Sequence, residues 1–208
     1  MLLLISFLAL ISISLLLSSI IRRDKIGGYV FKPLSTAIIV VLALFALAQP
    51  EANLAYGLII TSGLFLSLAG DIALILPVKK ALPIGMSFFF LTNILYGLAF
   101  LWRGAFLPQD ILPGLAILLF GLIIYTLLYS SLGKMRLPVF IYLLALSFML
   151  WRAVLTPSAL VVFGGSLFYL ADSLEAFYRF RDQSTWIRLV YLSLYYAAQL
   201  LIALSTSF

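Results

Sequence analysis

The chain contains no cysteine and no histidine in 208 residues. Without cysteine there is no disulfide, no thiolate nucleophile and no thiolate metal ligand. Without histidine, Ser-His-Asp and Cys-His catalysis, histidine metal sites and histidine proton relays are excluded. No metal or cofactor is expected. Charge is scarce too: 10% of residues are Asp, Glu, Lys or Arg, against about 25% in a soluble domain. What is present is apolar. Hydrophobic residues make up 65% of the chain, and the mean hydropathy is +1.23. No soluble core needs that much apolar sequence, so the expected solvent is lipid.

A bilayer core of roughly 30 Å needs about 20 apolar residues per helix. The sequence divides into eight such runs, at about 2–21, 33–49, 54–76, 82–102, 109–130, 137–151, 158–178 and 187–206. Gly27-Gly28, Pro50-Glu51, Pro77, Pro108, Gly133 and Pro157 punctuate them. The connections are short, which favours antiparallel neighbours. The alternation of a membrane barrel is missing. The expected fold class is therefore all-α: one integral membrane domain over 1–208, a polytopic bundle of eight transmembrane helices.

The 13 basic residues set an orientation. Arg22, Arg23, Lys25, Lys32, Lys79, Lys80, Lys134, Arg136, Arg179, Arg181 and Arg188 fall in or beside the first, third, fifth and seventh connections. Only Arg103 and Arg152 fall on the other side. Eleven against two puts the odd connections in the cytoplasm and both termini outside, with a bacterial inner (plasma) membrane as the expected location. The net charge of +6 is thus a topology signal; no nucleic-acid partner is expected. The first run lacks a basic leader, so it reads as a helix and not as a cleaved signal.

An internal echo runs at an offset near one hundred residues. "KPLSTAIIV" resembles "LPVFIYLLA", "GLFLSLAGD" resembles "GGSLFYLAD", and "FLTNILYGLAF" resembles "YLSLYYAAQLL". Two parallel four-helix halves would produce it.

Two carboxyls stand out inside this apolar sequence. Asp71 lies eight residues before Lys79, and Asp172 lies seven before Arg179. On helices of the same direction, that places both roughly 10–12 Å in from the basic end. An ionised carboxyl at such depth costs about 2.5–3.5 kcal/mol on insertion scales, so intramembrane acids are read first as functional. Two in contact would share a proton, one serving as acid and the other as base. Gly63, Ser67 and Asp71 share a helical face, as do Gly165, Tyr169, Asp172 and Ala176. Asn93, Tyr96, Tyr195 and Gln199 offer further polar groups at helical spacing, and Lys32 stands at the mouth, placed to hold a phosphate. Glu175 is expected to pair with Arg179 at i+4. The bland alternatives are buried aspartates bonded to tyrosine or serine for packing specificity, packing and interfacial roles for the tyrosines, interhelical bonding by Asn93 and Gln199, and a topology-setting Lys32.

Several segments, in order, resemble the YhhN family of membrane proteins, which includes lysoplasmalogenases. They are "FKPLSTAI" at 31–38, "GLFLSLAGDIAL" at 63–74, "MSFFFLTNILYGLAF" at 86–100, "RLPVFIYLLALSFMLWRA" at 136–153, "GGSLFYLADSLEAFYRF" at 164–180 and "YYAAQLLIALS" at 195–205. The resemblance implies a catalytic pair, Asp71 and Asp172; the residue pattern adds Lys32, Asn93, Tyr96, Tyr169, Tyr195 and Gln199 as substrate-binding candidates. It also departs from the family pattern. Asn93 stands where the family often has histidine, Ala171 where serine is usual, and Glu175 where leucine is usual.

The implied activity is cleavage of the vinyl ether of a lysoplasmalogen to a fatty aldehyde and a glycerophospho-headgroup. Its partners would be a lysophospholipid substrate and membrane lipid. Such a reaction needs a proton donor, a carboxylate facing developing positive charge and a groove for an alkyl chain. Three alternatives use the same aspartates. A proton-coupled transporter would use them as ion sites, and a lipid-binding relative would use them without turnover. An intramembrane aspartyl protease would need a glycine-x-glycine-aspartate, where this chain has "LAGD".

Overall fold

The computed structural model describes residues 1–104 and 107–207. Among them there is no strand. The α-helices are α1 (Leu2–Ile21), α2 (Lys25–Leu47), α3 (Leu54–Ile75), α4 (Ala81–Arg103), α5 (Ile111–Leu132), α6 (Arg136–Val154), α7 (Ala159–Phe180) and α8 (Thr185–Leu204). Seven stretches are long and apolar enough to cross a membrane. One of these, residues 108–154, is 47 residues long and contains both α5 and α6. Only the 3₁₀ turn Gly133–Met135 separates these two helices, and they fold back to pack on each other. Gly133 takes φ +52°, a backbone angle that glycine reaches without strain.

The second helix begins earlier than the sequence suggests. Gly27 and Gly28 do not break the chain; they lie within the first turn of α2. The turn is made upstream, where Arg23 adopts φ 57° and the Asp24 N–H donates to the Ser19 carbonyl at 2.8 Å. Gly27 is small for a different reason: a Cβ there would lie 2.8 Å from the Ser19 Cβ. Pro33 is also inside α2. Lys32 therefore sits on the wall of a helix and not in a loop at its mouth.

Small residues bring α3 and α4 together. A Cβ at Gly63 would lie 2.5 Å from the Tyr96 ring, and one at Gly70 would lie 2.7 Å from the Phe89 ring. In lipid, where helices gain nothing by hiding apolar surface from each other, such close packing holds the bundle together. Tyr96 is fully buried and has no free space to retreat into. Gly63→Val is accordingly expected to lower stability by about 1–3 kcal/mol. Thermal unfolding in detergent would read this as a reduced midpoint; an unchanged midpoint would mean that the α3–α4 contact is looser than described.

The packing order has two matching series. In the first, α1 meets α2, α2 meets α3 and α3 meets α4; in the second, α5 meets α6, α6 meets α7 and α7 meets α8. The series join through α2 on α8 and α4 on α6. One difference is that α1 also packs on α8, whereas α5 leans on α7. This difference shapes the site.

Candidate active site

Asp71 lies on α3 and is 1% exposed. Its oxygens are fully engaged. The Lys32 ammonium is 3.0 Å from Oδ1. The Thr36 hydroxyl donates to Oδ2 at 2.5 Å, and the Tyr195 hydroxyl donates to the same oxygen at 2.9 Å. Lys32 and Thr36 are one helical turn apart on α2, so they reach α3 from one face. The chain of polar groups continues away from the carboxylate. Gln199 Nε2 donates to the Tyr195 hydroxyl at 3.1 Å, and the Tyr96 hydroxyl donates to Gln199 Oε1 at 2.8 Å. Tyr196 steadies the cation's backbone by donating to the Lys32 carbonyl at 2.9 Å. A buried carboxylate with a cation and two hydroxyl donors meets the condition for keeping charge out of water.

Asp172, on α7, has different company. The Tyr142 hydroxyl of α6 donates to its Oδ2 in a short hydrogen bond. Asn93 of α4 supports that phenol through Nδ2, 3.2 Å from the Tyr142 oxygen, and also donates to the Phe89 carbonyl at 2.9 Å. Among the described residues no cation lies within ion-pair distance of Asp172. One turn further along α7, Glu175 is paired with Arg179 at 2.6 Å, the i+4 pair expected from the sequence.

The two carboxyls are not joined by a hydrogen bond; each heads its own network. Their exposure differs as well. Asp172 is only partly buried because it lines an apolar cavity. Leu82, Met86 and Phe89 of α4 form one side of this cavity, with Ile124 and Leu128 of α5 opposite. Asp71 does not reach it. The asymmetry follows from the helix seating. α1 packed on α8 closes the first half around Asp71, whereas α5 leans on α7 and leaves space facing α4.

The residues singled out in the sequence thus separate into groups. Lys32, Asp71, Tyr195, Gln199 and Tyr96 form one continuous chain. Asn93 joins Asp172 through Tyr142. Tyr169 belongs to neither, because its hydroxyl donates to the Ile117 carbonyl of α5 at 3.2 Å. Lys32, placed by the sequence to hold a phosphate, has its ammonium 3.0 Å from the Asp71 carboxylate. Two partners escaped the sequence reading. Thr36 was detectable as the residue one turn after Lys32, and Tyr142 as a lone phenol in an otherwise apolar stretch of α6.

Apolar helices of spanning length around two acidic centres define a polytopic membrane protein with a carboxyl site in its interior. The chain belongs to the YhhN family, whose model matches residues 28–206. It is similar to the lysoplasmalogenase TMEM86B of Rattus norvegicus, 38% identical over 169 residues that cover 79% of this chain and 67% of the relative. The lysoplasmalogenase TMEM86B of Homo sapiens is 35% identical over 153 residues, covering 72% and 64%. The lysoplasmalogenase TMEM86A of Bos taurus is 32% identical over 175 residues, covering 77% and 68%. The chain thus spans about two thirds of the length of these relatives. No solved structure matches it.

Proposed function

We propose that this protein is a membrane-embedded hydrolase that cleaves the vinyl ether of a lysoplasmalogen, with Asp172 as the proton donor. The observation that carries the reading is the position of Asp172: it is the aspartate of the two that lines an apolar cavity. The names of the relatives supply the reaction class. In that reaction a proton adds to the β-carbon of the alkenyl chain and leaves an oxocarbenium ion. Water adds at the α-carbon, and the hemiacetal collapses to a fatty aldehyde and the glycerophospho-alcohol. The acid must touch the chain, so it belongs in the wall of the alkyl cavity. Asp71, sealed and held by Lys32, has no access to the chain. It serves as a fixed carboxylate, and its network orders the helices around the site.

The reading extends to topology. Eight spans, with α5 and α6 crossing separately, suit the tight Gly133 turn, and the distribution of basic side chains supports a site toward the cytoplasmic leaflet of an inner membrane with both termini outside. The matching packing series support two parallel halves.

The test is direct. Purified protein is given a 1-alkenyl lysophospholipid in micelles, and free fatty aldehyde is measured beside a 1-acyl control. Aldehyde from the alkenyl substrate alone is the expected result. Binding without aldehyde would move the protein to the carrier or lipid-binding reading. Tyr142→Phe is expected to lower kcat by about tenfold, since the lost hydroxyl positions the Asp172 carboxyl and a typical hydrogen bond contributes about 0.5–1.5 kcal/mol. An unchanged kcat would remove Tyr142 from the site.

A further inference from the structure

A second cavity, of about 540 Å³, opens at the basic end of the bundle. Arg23, Lys25, Lys32 and Arg188 line it, against one acid, Asp24. Lys32 is committed to Asp71. Among the described residues, the other three cations have no carboxylate within ion-pair distance. Topology alone asks for cations near this end of the helices, but it does not ask for them to be gathered around one hollow.

Their placement on the helices is also unfavourable as it stands. Lys25 is the first residue of α2, and Arg188 lies in the first turn of α8. A helix N-terminus carries about half a positive charge, so a cation there is normally avoided. Both N-terminal turns line this cavity, through Lys25 and Gly28 on one side and Thr185 and Arg188 on the other. Two helix N-termini and four cations converging on one space are complementary to a bound anion. The cavity adjoins the candidate active site: Leu74 lines both this space and the apolar cavity beside Asp172.

We infer that this basic cavity seats the phosphate of the lysophospholipid headgroup, with Arg23, Lys25, Lys32 and Arg188 around it and the alkyl chain directed past Leu74 toward Asp172. The inference rests on the proposed substrate class. It adds a specificity site: the protein would select phosphate-bearing single-chain lipids over neutral ones of the same chain. Lys32 would belong to both centres, its ammonium shared between the buried Asp71 carboxylate and the incoming phosphate.

Binding tests this without turnover. A 1-alkyl lysophosphocholine has no vinyl ether to protonate, and a 1-alkylglycerol of equal chain length lacks the phosphate. Wild-type protein is expected to bind the first at least tenfold more tightly. Raising salt from about 50 to about 500 mM should weaken only that interaction, because solvent-accessible charge pairs are screened. The Arg23→Gln/Arg188→Gln double variant should lose about tenfold for the phosphate-bearing ligand and hold the alkylglycerol within twofold. The salt dependence needs no variant and stands if the double variant does not fold. Equal binding of the two amphiphiles by wild type would overturn the inference, as would a preference that persists in the double variant. Displacement of the lipid by inorganic phosphate at low millimolar concentration would assign the cavity to free phosphate and overturn the lipid seat. A protein that binds as expected but releases no aldehyde would refute the hydrolase reading while leaving this site in place.

Discussion

Asp172→Asn is expected to abolish aldehyde release, lowering kcat by about 10²–10⁴-fold, the usual contribution of a positioned general acid. The amide keeps the shape of the carboxyl and still accepts the Tyr142 hydroxyl, so folding and insertion should be retained. What it lacks is an acidic proton for carbon. The same experiment in heavy water gives an independent check. Aldehyde made by wild type should carry one deuterium at carbon 2, because protonation of the vinyl β-carbon is the step that opens the ether. Label absent from that carbon would mean a different bond-breaking route. Full activity in Asp172→Asn would remove this residue as the acid and return attention to Asp71.

The second large effect concerns stability. Lys32→Met removes the cation from a carboxylate that is 1% exposed, while the lysine side chain itself is 11% exposed. Breaking a buried pair from one side costs about 3–5 kcal/mol, because the remaining charge is left uncompensated. The variant should unfold far earlier than wild type in a denaturant or thermal series. Lys32→Met/Asp71→Asn should recover much of the loss, since a neutral amide at 71 can still accept from Thr36 and Tyr195. A single variant as stable as wild type would mean that the Lys32–Asp71 contact does not hold the fold together.

The sequence made the helices and the two acids legible, because length, apolarity and breaks are local properties. Helix α2 shows where that stops. Two adjacent glycines and a proline look like punctuation from the sequence, yet in α2 Gly27 relieves a close approach to Ser19 of α1, Gly28 continues the helix and the proline is accommodated inside it. Depth was estimated along each aspartate's own helix, which gave similar positions for Asp71 and Asp172. It could not show that Lys32 reaches across from α2, nor that Tyr142 serves one carboxyl and Tyr195 the other. Partners on neighbouring helices depend on rotation about the helix axis and on which helices touch. The unequal packing of α1 and α5 is likewise a tertiary property, and it decides which aspartate faces open space.

Helix α5 has only Gly121, Leu128 and Leu132 buried. More than half of its residues are exposed on the outside of the bundle. It is also one wall of the hollow beside Asp172. A single-chain amphiphile already dissolved in the bilayer therefore need not be lifted into water to arrive. If the protein acts as proposed, the alkyl chain would reach the hollow from the lipid side, past α5, and the aldehyde would leave the same way.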